Sequence, residues 1–207
     1  MIHEYSKQIA VAAVFVALAP AAPRADEISS PDRTKLVQYL TTTRDQVMAE
    51  SATLSDVQWN FKEGPDRWSV GEVVEHLALA EELLWDLQQK TVAAPVATAE
   101  KQGATKGKDE MIMKAIPDRT QKAQAPEPLR PTAKLGSQAD VVKAFRERRG
   151  KTLDYAGKTS DDLRAHVGDS PIGPVDAYQW LLFIGAHTER HLAQIREVKA
   201  SAQFPKM

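Results

Sequence analysis

Apolar residues recur at helical spacing in four separate stretches of the chain, with polar residues between them. The predicted helices run from 32 to between 51 and 55, from 69 to about 91, from 137 to about 157, and from 174 to about 200. No stretch shows the apolar–polar alternation that indicates a strand. Because four amphipathic helices in a small domain must bury their apolar sides against one another, we expect an all-α, up-down four-helix bundle.

The second predicted helix has the clearest start signal. Ser69 and Glu72 have the spacing of a capping box, in which each side chain binds a backbone N–H of the first turn. Trp68 precedes this cap, where an apolar side chain can pack onto the first turns as a hydrophobic staple. The fourth helix is predicted to begin at Pro174, because proline suits a first helical position.

A long segment between the second and third helices, residues 92–136, lacks helical periodicity except around 110–116. It contains several prolines and no aromatic residue. Segments of this length without regular structure are either functional lids or mobile connections. We expect a long irregular insertion that is mobile.

The first 25 residues have the layout of a secretory signal peptide. Lys7 precedes an apolar run, Ile9–Ala19, and small residues with prolines follow as far as Ala25. The run is shorter than the roughly 20 residues that a spanning helix needs, and an uncleaved interfacial anchor is the alternative. We predict that residues 1–25 are removed on export and that residues 26–207 form the bundle. The mature protein would then be periplasmic or secreted, with no stable membrane insertion.

Composition and charge narrow the chemistry. The formal net charge is −1, which offers no basic excess for neutralising a run of phosphates, so we expect no nucleic-acid partner. The chain has no cysteine, which excludes disulfides, thiolate metal ligands and a cysteine nucleophile. Any metal ligand must therefore be a histidine, an aspartate or a glutamate.

Three of the five histidines occupy positions that predict a shared site. His187 and His191 lie four residues apart in the fourth helix, so both rings share one face, which also carries the apolar stripe. His76 borders the buried face of the second helix. Three inward-facing imidazoles suit Zn²⁺, Ni²⁺, Cu²⁺ or Fe²⁺, with zinc or nickel favoured. The alternative is that they are hydrogen-bonded core residues.

Two further residues are candidates for a catalytic role beside such a metal. Gln194 follows His191 by one turn and can orient a ligand or a bound water. His166 lies in the polar connection before the fourth helix, where it can act as a general acid or base or remain a solvated loop residue. Three protein ligands leave a position for water, which the metal would activate as a nucleophile.

Other polar and aromatic residues have structural interpretations. The cluster Arg146–Arg149 suits a solvated helix face, although Arg149 falls on the apolar side and can instead bind an anion. We expect the four tryptophans in the core rather than as stacking platforms for a substrate.

Two segments, RWSVGEVVEHLALAE and AHTERHLAQI, resemble the DinB-like/YfiT-like family of metal-binding four-helix bundles. The resemblance covers about 32–200 and is absent from 92–136. It implies a divalent transition metal bound by His76, His187 and His191, in a protein that is often a homodimer. The family includes metal-dependent hydrolases and thiol-dependent S-transferases or isomerases, and many members have no known activity.

The resulting expectation is an exported, metal-dependent hydrolase that acts on a small molecule through a metal-bound water. The enzymatic alternative is a thiol-dependent S-transferase or isomerase at the same metal, although low-molecular-weight thiols of this kind are mainly cytosolic. The third alternative is a bundle that binds a metal or a ligand without catalysis.

Overall fold

The structure, a computed structural model, describes residues 28–120 and 124–206. Within these residues four long helices form the body, while short helices and one 3₁₀ turn, Glu127–Leu129, lie in the connections. The α-helices are α1 Ser30–Ser51, α2 Asp56–Trp59, α3 Val70–Ala93, α4 Ala99–Gly103, α5 Lys108–Ala115, α6 Gln138–Lys158 and α7 Ala177–Lys199. The long helices α1, α3, α6 and α7 pack together as the predicted four-helix bundle.

Three of the long helices, α3, α6 and α7, begin at capping boxes. The N–H of Glu72 donates to the Ser69 hydroxyl, and the N–H of Ser69 donates to the Glu72 carboxylate at 2.8 Å. Ser137 and Asp140 form the same arrangement before α6. Each box satisfies two N–H groups that lack a partner within the helix, so α3 and α6 begin within one residue of the predicted positions.

The start of α7 differs from the prediction. Pro174 is not its first residue, because it pairs with Asp169 in an antiparallel hairpin of two strands, β1 Val167–Ser170 and β2 Gly173–Asp176. Gly173 turns the chain with a φ of 84°, and the N–H of Gln179 donates to the Asp176 cap at 2.7 Å. The expectation of no strands is wrong here, because neither of these two short strands has alternating apolar and polar residues or alternating burial.

The long helices follow the order α1, α6, α3, α7 around the bundle, which places α1 diagonally opposite α3. Tyr39 of α1 forms a hydrogen bond with Glu189 of α7, and further along both helices Glu50 bonds Lys199. These two helices, the first and the last of the bundle, therefore run in the same direction.

The helices α3 and α6 also run in the same direction, as shown by the contact pairs Ala78–Arg148 and Trp85–Tyr155. The start of α1 meets the end of α6, where Arg33 donates to the Ala156 carbonyl at 2.9 Å. The parallel pair α3 and α6 is therefore antiparallel to the pair α1 and α7. Along the chain the helices run up, down, down and up. A simple up-down order would instead run up, down, up and down.

Residues 94–137, which we call the crossover segment, connect the parallel neighbours α3 and α6. Such a connection must return along the length of the bundle, which explains why it is long. The segment contains α4, α5 and the 3₁₀ turn, and α5 packs along α7. The weak periodicity around 110–116 thus corresponds to a helix, while the mobility of 92–136 stays a prediction.

A layer of polar groups crosses the centre of the bundle around Arg149, which is completely buried. Its five N–H groups donate to both carboxylate oxygens of Glu81, the Leu40 carbonyl and the hydroxyls of Thr43 and Thr188. The acceptors come from the other three long helices. All guanidinium donors are therefore used within the fold, and Arg149 forms neither a solvated face nor a site for an external anion.

Two apolar clusters lie on either side of this polar layer. The first includes Trp180 and Leu181 near the start of α7, and the second includes Val73, Leu77 and Leu192. The second cluster surrounds the position of His76 in α3.

No helix in the described parts of the chain is long and apolar enough to cross a membrane. The predicted signal peptide, residues 1–25, lies outside the described residues, as does the start of the predicted bundle domain at 26. Export therefore stays a prediction.

Candidate metal centre

Three histidines meet between α3 and α7 in the half of the bundle that contains the second cluster. His76 Nε2 lies 3.1 Å from His191 Nε2 and 3.3 Å from His187 Nε2. One ligand atom of each residue lies within 4.8 Å of the other two. Because residues one turn apart share a helix face, α7 presents two rings to the ring from α3. The structure thus brings all three predicted ligands together.

Hydrogen bonds behind two of the rings determine which nitrogen carries hydrogen. His76 Nδ1 lies 2.8 Å from the Leu129 carbonyl oxygen, which can only accept, so Nδ1 is the donor. His191 Nδ1 donates in the same way to Oε1 of Gln194 at 2.9 Å. In a neutral imidazole the other nitrogen then has a free electron pair. His76 and His191 therefore direct two electron pairs at each other across 3.1 Å.

Facing electron pairs repel unless a cation lies between them, so this arrangement suits a metal ion. Nitrogen ligands of tetrahedral zinc lie about 3.4 Å from one another, close to the separations of 3.1 and 3.3 Å found here. The Leu129 carbonyl and the Gln194 amide provide the outer hydrogen bonds that orient metal-bound histidines. The residues present fit a divalent metal held by three imidazoles.

The surroundings favour the neutral form of each ring. His76 and His191 are buried, and His187 is half-buried. Loss of solvation is the largest cause that lowers the pKa of each histidine, to about 3 for His187, and charge on the neighbouring histidines adds to it for the two in α7. Neutral imidazole is the form that binds a metal.

These lowered pKa values predict that the metal-free protein loses stability in mild acid. Unfolded histidines titrate near 6.5, so the unfolded chain binds more protons than the folded one once the pH falls below that value. Each ring should reduce the free energy of unfolding by about 1.4 kcal/mol per pH unit until its folded pKa is reached. Urea unfolding of chelator-treated protein between about pH 6.5 and 5 measures the slope.

A His187→Gln variant provides the comparison. Asp176 gives a slope of opposite sign in part of this range, because burial raises its pKa to about 6. That contribution is the same in both proteins and cancels in the difference. The variant should lose stability less steeply, by the equivalent of one proton, and equal slopes would contradict the neutral state assigned to His187.

Trp68 forms one wall of the site. Its ring centroid lies 5.0 Å from that of His76 and 6.4 Å from that of His191, and it is nearly parallel to the His191 ring. Trp68 is half-buried and also packs against the second cluster. The residue therefore belongs partly to the core, as predicted, and also limits the space beside two of the ligands.

The crossover segment is anchored beside the histidines by Glu75. This buried carboxylate accepts hydrogen bonds from the N–H groups of Ala133 and Leu135, at 3.0 and 3.2 Å. Both oxygens of Glu75 are thus used on the backbone of the segment. The two bonds hold the region from which the Leu129 carbonyl reaches His76.

His166 is not brought to the other histidines. Its carbonyl accepts a hydrogen bond from the N–H of Ala177, the first residue of α7, and its Nδ1 lies 2.6 Å from the Ala94 carbonyl. His187 follows Ala177 by nearly three turns, or about 15 Å along a helix. The predicted role of His166 as an acid or base at the metal therefore has no geometric support, because its backbone is bonded to the first residue of α7, far from the middle of the helix where His187 lies.

Sequence patterns reveal the ligands but not all the groups around them. Leu129 acts through its backbone carbonyl, which nearly every residue type provides in the same form. Arg119, which donates to Gln194, lies in a stretch without periodicity. Trp68 has a sequence signal in its position before the capping box, but that signal is equally typical of a helix staple.

The chain is similar to known proteins in sequence and in fold. Residues 39–195 match the family model of the DinB superfamily. The uncharacterized protein YuaE of Bacillus subtilis (strain 168) is 28% identical over 153 residues, which cover 70% of this chain and 86% of YuaE. The solved structure of YfiT from Bacillus subtilis, described as a probable metal-dependent hydrolase with an unusual four-helix bundle topology, has a TM-score of 0.56.

The likeness to YfiT covers 88% of this chain and 93% of that protein at 15% identity, and it shows a shared fold. The family match shows more than a shared fold, because it rests on the sequence of residues 39–195. It includes α3 with His76 and the part of α7 with His187 and His191. The chain belongs to the DinB superfamily.

Proposed function

We propose that this protein is a metal-dependent hydrolase whose three histidines bind a divalent transition metal, with zinc or nickel as the first candidates to test. The observation that carries the proposal is the 3.1 Å separation of His76 Nε2 and His191 Nε2. Each of these nitrogen atoms has a free electron pair, because the Nδ1 atom of the same ring carries the hydrogen. No further carboxylate joins the three rings in the metal-binding group of the described residues. A site with three protein ligands keeps a position for water, as catalytic zinc sites do.

When bound, such a metal lowers the pKa of a coordinated water to about 7 and so makes hydroxide available near neutral pH. The protein itself holds the rings neutral by burial and orients two of them through Leu129 and Gln194. Gln194 therefore acts as a positioning residue for His191. Trp68 covers one side of the His76 and His191 rings.

The similarity to YfiT supports the reaction class only through the shared fold, because the identity is 15%. Hydrolysis is proposed from the three-histidine site of this chain, because three protein ligands leave a metal position for water.

Removal of the metal should abolish hydrolysis, and zinc or nickel should restore it. We expect a difference of about 100-fold or more between metal-free and reloaded protein, because a catalytic metal contributes several kcal/mol to transition-state stabilisation. The measurement uses protein purified without a histidine tag, treated with a chelator and assayed on a panel of esters, amides and lactams.

The same preparation distinguishes the alternatives. Metal binding without turnover on any of these substrates would favour a non-catalytic binding bundle. Formation of a conjugate only when a thiol and an electrophile are supplied would favour the S-transferase reaction at the same histidines.

We also propose that the protein is exported and acts as a homodimer. The basis for export is the arrangement of residues 1–25, and the basis for the dimer is the family resemblance. Mass spectrometry of the N-terminal peptide tests the first proposal, on protein recovered from the native host. An intact Met1 would contradict cleavage. Light scattering of the mature protein tests the second.

A further inference from the structure

We infer that Arg119, in the crossover segment, is a positioning residue that fixes the tautomer of His191 through the Gln194 amide. The inference deepens the proposed function, since it concerns how the same metal site is prepared. Arg119 is absent from both segments that carry the family resemblance, and its role follows from three hydrogen bonds.

The guanidinium of Arg119 is held in one orientation. Its Nε and Nη2 donate to the two carboxylate oxygens of Glu197 at 3.1 and 2.9 Å, which is a bidentate ion pair. Its Nη1 donates to Oε1 of Gln194 at 3.3 Å. Because Gln194 and Glu197 lie three residues apart on α7, one planar group bonds both side chains.

The Gln194 amide needs such a partner to present the correct end to the metal ligand. Its oxygen and nitrogen occupy nearly the same space, but the oxygen accepts a hydrogen bond and the nitrogen donates one. Arginine can only donate, so Arg119 selects the orientation with Oε1 between Arg119 and His191. His191 must then carry hydrogen on Nδ1, which leaves Nε2 free to bind a metal.

Loss of Arg119 would permit the reversed amide. The Gln194 nitrogen would then donate to His191 Nδ1, and the ring hydrogen would move to Nε2, where it blocks coordination. A second effect of losing Arg119 changes the metal affinity in the opposite direction. Removal of a nearby positive charge should by itself strengthen the binding of a divalent cation. The direction of the change in metal affinity therefore separates positioning from simple electrostatics.

The test compares Zn²⁺ affinity, by chelator competition, in the wild type and in Arg119→Met. We expect binding about 10-fold weaker in the variant, within the range known for groups that orient metal ligands. Arg67→Met is the matched control, because Arg67 lies 3.6 Å from the same Glu197 carboxylate and has no hydrogen bond to Gln194. Its affinity should stay within about twofold of the wild type.

A Gln194→Glu background provides the rescue. Both oxygens of a glutamate accept hydrogen bonds, so no arginine is needed to choose between them. In this background Arg119→Met should leave Zn²⁺ affinity unchanged or raise it. An equal loss in both backgrounds, or unchanged or stronger binding in Arg119→Met alone, would overturn the inference.

A measurement on metal-free protein separates this inference from the proposed function. The ¹⁵N chemical shifts of the His191 ring report which nitrogen carries hydrogen. We expect the Nδ1–H form in the wild type and in Arg67→Met, and a mixture with the Nε2–H form in Arg119→Met. An unchanged His191 tautomer in Arg119→Met would overturn the inference even if zinc binds, whereas failure of the wild type to bind metal would overturn the proposed function alone.

Discussion

Methionine in place of Arg149 should lower the free energy of unfolding by about 3–5 kcal/mol, the usual cost of breaking a buried ion pair. Arg149 is completely buried, and its partner Glu81 is only 2% exposed. The substitution leaves the Glu81 carboxylate without its cation and removes the donors to Leu40 and Thr43. Unfilled buried acceptors add their own desolvation cost. Urea unfolding followed by circular dichroism measures the loss.

Two further variants locate its cause. Arg146→Met, on the exposed side of the same helix, should change stability by no more than about 0.5 kcal/mol. The double variant Arg149→Met/Glu81→Met removes the charge together with its partner, so it should recover much of the lost stability. Equal effects at 149 and 146 would contradict the polar layer, and a double variant no more stable than Arg149→Met would assign the loss to packing.

Alanine in place of His187 should weaken Zn²⁺ binding by at least about 100-fold, beyond the 10- to 100-fold known for groups that only orient a ligand. The reason is that two nitrogen atoms remain where three converge, with no carboxylate completing the metal-binding group in the described structure. Metal content of tag-free protein and chelator competition provide the measurements. Because a bound metal stabilises the fold by mass action, Zn²⁺ should also raise the melting temperature of the wild type more than that of the variant.

His166→Ala is the matched control for this experiment. It removes the same type of side chain from the connection beside the start of α7, away from the three histidines, so Zn²⁺ affinity should stay at the wild-type value. Weaker binding in both variants would contradict the assignment of the ligands. Unchanged Zn²⁺ binding in His187→Ala would contradict the proposal that the three histidines bind the metal.

The parts of the molecule that could be predicted from the sequence depend on local rules. The capping box at Ser69 and Glu72 lies within one turn, and so does the spacing of His187 and His191. Both follow from the helical repeat alone. The convergence of His76 with that pair required only that two apolar stripes face each other, which the bundle fold demands.

The parts that could not be predicted depend on contacts between residues far apart in the chain. The partners of Arg149 lie on three other helices, so its place on the apolar side does not distinguish a network from an anion site. The parallel course of α3 and α6 is likewise invisible to periodicity, which has no direction. Pro174 suited both a helix start and an edge strand, and the pairing with Asp169 decided between them.

Because the supporting groups lie in the crossover segment, they can change during evolution while the three histidines stay the same. The ligands belong to helices whose spacing is set by a packed core, whereas Leu129 and Arg119 belong to a connection for which the bundle sets only a minimum length. Insertions or exchanges there can retune affinity and choice of ion while the three rings persist. Chains that share this triad therefore need not share a metal or a reaction.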